Sequence, residues 1–234
     1  MGLGKSNTGN HAGFIGGPMK NFVQLGTPKL TGGNCATIQN TNSNLVPYTT
    51  AGSSLSYMSD YWRYHVCCYI ISADDLGSAK QFTGMAFYAS TGSSGGYTQT
   101  NQRIVMAHCA ELGFSGTTAP TGSSISTMST SNLLTITDET DVLEEGSRTV
   151  SAGSGWMDEI PFDNNFCYNG TDNVVVMVIN GDYFYPTDYA VYGVNTTLDD
   201  GNYSMLWDGS DSQTVPNLSG YSRTQRLLAT RFYY

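Results

Sequence analysis

Apolar and polar residues along this chain follow no 3.6-residue period. From about residue 55 they fall instead into short apolar or alternating runs, separated by clusters of Gly, Ser, Thr, Asn and Asp. RYHVCCYIIS (63–72), KQFTGMAFYA (80–89) and QRIVMAHCAE (102–111) are rich in β-branched and aromatic side chains and predict strands. Asp74-Asp75-Leu76-Gly77 reads as a turn, and TGSSGGYTQT (91–100) as a flexible loop. The stretch GFSGTTAPTGSSISTMSTSN reads as a polar connection, too rich in small residues to form a core element. NLLTIT (132–137) predicts a short strand. SRTVSA (147–152) and GWMDEIPF (155–162) flank a Gly turn and predict a hairpin. NVVVMVIN (173–180) is apolar on both faces, which predicts a central strand covered on both sides. AVYGV (190–194), YSMLW (203–207) and QRLLATRFYY (225–234) complete the set. Roughly eight to ten strands without an amphipathic helix predict an all-β fold, a single antiparallel β-sandwich of jelly-roll type over residues 46–234.

Residues 1–45 are different. They are rich in Gly, Asn and Thr, and their apolar residues are isolated: Phe14, Ile15, Phe22, Val23, Leu25 and Leu30. Pro18 and Pro28 interrupt any helix. Fixing one residue's backbone costs about 1–2 kcal/mol, and so sparse a set of side chains cannot offset that alone. The segment therefore reads as an extended N-terminal arm. The six apolar residues are its candidate anchors, to be held by a neighbouring subunit or partner protein.

Composition narrows the partners. Of 234 residues only 12% are charged, and the formal net charge is −9. An acidic chain lacks the basic face that counterion release on nucleic acid requires. No apolar run is long enough to span a bilayer. The first residues hold one Lys and no apolar stretch of signal-peptide length, which fits assembly in the cytoplasm. The five cysteines, Cys35, Cys67, Cys68, Cys109 and Cys167, have no regular spacing. They read as free thiols serving as small core residues rather than as a disulfide framework.

Candidate chemistry is sparse. His65 with Cys67, and His108 with Cys109, invite a metal reading, but neither pair belongs to a CxxC or HxxxH pattern. In a strand, His108 and Cys109 point to opposite faces. No G-x-S-x-G elbow is present. Carboxylates cluster at Asp138-Glu139-Asp141, Glu144-Glu145, Asp158-Glu159, Asp199-Asp200 and Asp208-Asp211. Hard oxygen ligands of that kind suit calcium, yet no D-x-D-x-D-G loop arranges them, and they read as solvated acids. Tyr57, Tyr61, Trp62, Tyr64, Tyr183, Phe184, Tyr185, Tyr189 and Tyr192 could stack on sugars or enter a protein interface. No cofactor and no catalytic group is expected.

A family pattern is carried by GMAFY (84–88), RIVMAHCAELGFS (103–115), TVSAGSGWMDEIPFDNNFCYNGTDNVVVMV (149–178) and RLLATRFYY (226–234). Its densest part is Thr149, Gly153, Gly155, Trp156, Pro161, Phe162, Phe166, Tyr168, Gly170, Asn173 and Val174. Over residues 55–234 this resembles a β-sandwich module of phage virion structural proteins and bacterial surface proteins. Each of these residues also has a folding role. Trp156 and Phe162 would share a core-facing side, Pro161 would end pairing at a sheet edge, and Asn169-Gly170 would form a tight turn. The resemblance implies a non-enzymatic virion subunit of a tailed phage, as capsid decoration, cement or tail component. Its partners would be major capsid or tail proteins, and a homo-oligomer, a trimer for instance, is expected. The alternative it implies is a cell-surface or fibre recognition module for carbohydrate or protein receptors.

Overall fold

The computed structural model describes residues 43–45, 53–55, 64–91, 97–115, 125, 134–150, 155–180, 190–195, 204–210, 222–224 and 226–234. At its centre NVVVMVIN forms β9 (Asn173–Asn180), hydrogen-bonded antiparallel to β3 (Tyr64–Ile71) on one side and β5 (Tyr97–Cys109) on the other. β6 (Thr140–Val150) extends this sheet beyond β5, and β11 (Met205–Ser210) with β12 (Ser222–Thr224) extends it beyond β3. The second sheet is built on β4 (Lys80–Thr91). One edge of β4 pairs with β14 (Thr230–Tyr233); the other takes β8 (Ile160–Tyr168) and β7 (Gly155–Trp156). β1 (Asn44–Leu45) adds to the outer edge of β14. β10 (Ala190–Asn195) pairs with the end of β4, with β2 (Ser53–Leu55) and with β13 (Arg226–Leu228). All pairings are antiparallel, and the fold is the predicted all-β sandwich.

Period-two alternation sorts the core. Cys67, Tyr69, Ile71, Ile104, Met106, Val174, Val176 and Val178 point from the first sheet toward Phe82, Met85, Phe87, Phe166, Tyr168 and Phe232 of the second. Their neighbours Val66, Cys68, Ile70, Val105, Ala107, Val175 and Met177 point the other way and are equally buried. β9 is thus covered on both faces, as its unbroken apolar run predicts. Each buried Val, Ile, Met or Phe among them contributes roughly 1.5–3 kcal/mol by leaving water. Phe114, Ile125 and Leu134 cover the second face. The first two belong to the Ser/Thr-rich connection expected to stay out of the core, so that expectation is corrected. Single apolar side chains within a polar stretch of sequence suffice to cap a sheet face.

Other expectations also change. Asp74–Leu76 lies in one turn of helix, α1 (Ala73–Leu76), rather than a simple turn. Ser72 caps it by accepting from the Asp75 N–H at 3.2 Å, and Gly77 ends it at φ +72°. Lys80 Nζ donates to the Leu76 carbonyl at 2.5 Å, placing a cation at the helix C-terminus. The Gly/Ser loop is shorter than expected, since β4 runs to Thr91 and β5 begins at Tyr97. In NLLTIT the described residues, 134–137, form an isolated bridge from Ile136 to Cys109 instead of the expected strand. The expected hairpin does not form: β6 pairs with β5, whereas β7 pairs with β4. Pro161 does not end pairing. It lies inside β8 opposite Gly84, beside a register irregularity where a missing donor is tolerated. Gly170 adopts φ +82°, and a Cβ there would lie 2.5 Å from Ala79 N, so the Asn-Gly turn demands glycine twice over.

Candidate functional site

Among the described residues a dense polar constellation gathers at one end of the sandwich, around His108 near the end of β5. The Asp138 carboxylate lies 2.9 Å from His108 Nδ1 through either oxygen, and its Oδ1 also accepts the His108 backbone N–H at 3.0 Å. On the far side of the ring, the Asn169 N–H donates to Nε2 at 3.1 Å. That pattern assigns the proton to Nδ1 and the lone pair to Nε2. Phe166 and Tyr168 flank the ring with centroids 4.8 and 5.9 Å away. Burial works to raise the Asp138 carboxyl, but the bonds from His108 outweigh it and hold the group below the usual carboxylate value. An acid–histidine pair of this kind activates a nucleophile only through a lone pair aimed at one. Here the lone pair is used by a backbone N–H. The pair therefore braces β5, the 134–138 segment and the β8–β9 turn.

Asn173 completes the brace. Its Oδ1 accepts from Ala73 N–H at 2.9 Å, and its Nδ2 donates to the carbonyls of Ala110 and Glu111 at 3.1 and 3.0 Å. Asn169 Oδ1 accepts from Thr171 N–H and Asp172 N–H at 2.9 and 3.0 Å, closing the tight turn through its own side chain.

Among the described residues no three or more His, Cys, Asp or Glu side chains converge as a metal site. His108 and Cys109 face opposite sides of the sheet, as expected, with Cys109 in the second core cluster. Asp141 is not a solvated acid. It is buried and ion-paired with Arg103, whose Nε donates to Oδ1 at 2.9 Å and whose Nη2 binds the same oxygen. Asp199, Asp200 and Asp211 lie outside the described residues, as do all the expected aromatics except Tyr64 and Tyr192.

The cysteines divide. Cys67, Cys68 and Cys109 are buried free thiols, as expected. Burial pushes the Cys109 thiol up to about 12 and raises those of Cys67 and Cys68 strongly as well, which makes them inert. Cys167 is not a free thiol: it is disulfide-bonded, which corrects the expectation for it. Cys35 lies outside the described residues.

Trp156 is also displaced from its expected place. Residues 157–159 break the strand between it and Phe162, so the even spacing does not carry through. Phe162 packs on the central core, while Trp156 meets Tyr88 edge-on at 5.3 Å and lies beneath Arg231, whose Cζ is 4.1 Å from the ring centroid. Tyr88, Trp156 and Arg231 are half-buried on the outer face of the second sheet.

The predicted anchors Phe14, Ile15, Phe22, Val23, Leu25 and Leu30 lie outside the described residues. The root of their segment does not. Ser43 N–H donates to the Tyr234 carbonyl at 2.7 Å, and Tyr234 N–H returns a bond to Ser43 at 2.9 Å. Asn44 and Leu45 then pair with Tyr233 and Phe232, and Leu45 packs on the central core. The leader joins the domain at the outermost strand of its sheet. No protein-family model, curated protein or solved structure matches the chain.

Proposed function

We propose that this protein is a non-enzymatic structural subunit of a tailed-phage particle, a capsid decoration, cement or tail-associated component held to its neighbours by its N-terminal arm. One observation carries the reading: the arm's root is stitched by backbone hydrogen bonds to the C-terminal strand at the edge of a sheet. A leader fixed there leaves the domain at its rim, where its apolar anchors can reach another subunit while the sandwich stays folded. The sequence resemblance points the same way, and major capsid or tail proteins are the expected partners. The test uses the full chain and a variant lacking residues 1–34, which removes all six anchors and keeps β1. The full chain should bind preassembled heads or tails lacking it and raise their disruption temperature. The variant should stay folded and fail to bind. No affinity of the full chain for any particle component would overturn the reading.

The Tyr88–Trp156–Arg231 stack favours a second reading, a recognition module for glycans or receptors. Half-buried aromatic rings beside a guanidinium give contact area at small entropic cost. A glycan array in which Trp156→Ala abolishes specific hits would favour it over the first.

A further inference from the structure

We infer that His108 is a pH-operated clasp: protonation of its ring releases the turn of residues 169–172 from the end of the sandwich. The bond from the Asn169 N–H to Nε2 at 3.1 Å exists only while that nitrogen keeps its lone pair. An imidazolium carries a proton on both nitrogens and accepts from nothing. After protonation two N–H groups would face each other across the same gap, so the contact must open. The clasp stands apart from the virion reading, because a lone subunit carries it as well.

The ring is the partner that stays. It is buried, Asp138 holds Nδ1 through both carboxylate oxygens at 2.9 Å, and Phe166 and Tyr168 flank its faces. A positive ring binds that carboxylate more strongly still. The turn is the partner that leaves. Residues 169–172 are exposed or half-buried, whereas Tyr168 and Asn173 on either side are buried. Asn173 is fixed by its three hydrogen bonds, and Tyr168 pairs with Lys80 of β4. Between them the turn is closed on itself. Asn169 Oδ1 accepts from the N–H groups of Thr171 and Asp172, and Asn169 Nδ2 donates to the Asp172 carboxylate at 2.7 Å, so these residues move as one piece. Inward motion is blocked, because Gly170 abuts the Ala79 backbone. The piece therefore moves toward solvent, where water replaces the imidazole as acceptor.

Charged and titratable groups reach this end from several elements. The 134–138 segment brings Asp138, which alone among the described residues forms an ion pair with the ring. The turn brings Asp172. β8 brings Tyr168, whose hydroxyl is pushed up by burial and by Asp172 and Asp74, so it stays neutral. α1 brings Asp74, and Glu111 follows β5, where its carboxylate accepts from the Thr135 N–H at 2.8 Å. β4 brings Lys80, whose ammonium donates to the Leu76 carbonyl. β9 places Val174 opposite His108 and adds no titratable group there.

The test is NMR of the isotope-labelled full chain, following backbone amides and histidine rings from about pH 8 to about pH 5, the range in which imidazoles change charge. At the upper end the His108 ring should carry its proton on Nδ1, and the Asn169 amide should be protected from exchange. As that ring takes up its second proton, the Asn169 amide should exchange roughly 2–10-fold faster, after correction for the intrinsic rate. The Thr171 and Asp172 amides should shift in step. The amides of Val174, Val176 and Val178 should stay protected, which separates a local opening from unfolding. His108→Phe lacks the acceptor and should show the fast exchange at both ends of the range. Three results would overturn the clasp: Asn169 protection unchanged through the His108 titration, a proton on Nε2 at the upper end, or a ring that stays neutral until the sheet unfolds. All three are read on the wild type, so a poorly folding variant leaves the test intact. Failure here would not touch particle binding by the full chain, which is read out separately.

Discussion

Two buried polar links show how single side chains set the energetics. Thr230 Oγ1 donates to the Leu228 carbonyl at 3.0 Å, so the contact of 3.0 Å with Tyr69 must be a bond donated by the tyrosine hydroxyl. The relay joins β3 of one sheet to β13 and β14 of the other. Removing each end has a different cost. Tyr69→Phe deletes a donor and leaves Thr230 with its carbonyl, for about 0.5–1.5 kcal/mol. Thr230→Val strands the Tyr69 hydroxyl in the core, for about 1–3 kcal/mol. Urea denaturation of the two variants should rank them in that order. At His108 the same logic acquires a pH dependence. The Asp138 carboxyl is held below its unfolded value of 3.8, so its bonds to His108 stabilise the fold fully above that pH and are lost as pH falls through the lower folded value. His108→Phe should flatten that part of the acid-denaturation profile below about pH 4 and cost about 0.5–1.5 kcal/mol at neutral pH for each bond lost, to Asp138 and from the Asn169 N–H. The opposite facings of His108 and Cys109 were legible from strand alternation. The partner at Asp138 was not, because nothing local links two residues thirty positions apart.

At the scale of elements, legibility followed the density of apolar residues. β3, β9 and the core of β5 declare themselves because burial on both faces demands continuous Val, Ile, Met and Cys. Partner choice was not declared. The 147–152 and 155–162 runs look like two arms of one hairpin, yet long-range pairing sends them to different sheets, since each finds a longer partner there. The Ser/Thr-rich connection misleads for a related reason. Its average polarity hides Phe114 and Ile125, both fully buried over β3, β5 and β9. A side chain that caps an apolar sheet face should be as costly to lose as one from a regular strand. Phe114→Ala is expected to destabilise by about 3–5 kcal/mol, and calorimetry would read this as a lower midpoint. A change under about 1 kcal/mol would show that the connection rests on the sheet without holding it.

Across the whole molecule, the decisive boundary is where the leader stops being part of the sheet. Composition placed the change near residue 45, since the anchors thin out and strand-like runs begin soon after. Pairing moves it inward: Ser43, Asn44 and Leu45 already belong to the sheet, although nothing in their local sequence marks them as a strand. Two truncations separate these boundaries. Both remove Cys35 with the anchors, so any difference between them belongs to β1. Deleting residues 1–42 leaves β1 covering β14, with Leu45 on the core. Deleting residues 1–45 strips the strand, exposes the unpaired N–H and C=O groups of β14, and uncovers apolar surface beside Phe232. An open edge of that kind is a template for pairing with another copy. The shorter deletion should therefore remain monodisperse in light scattering, while the longer one should self-associate and melt earlier. Equal behaviour of the two would mean that β1 adds nothing to the edge it covers.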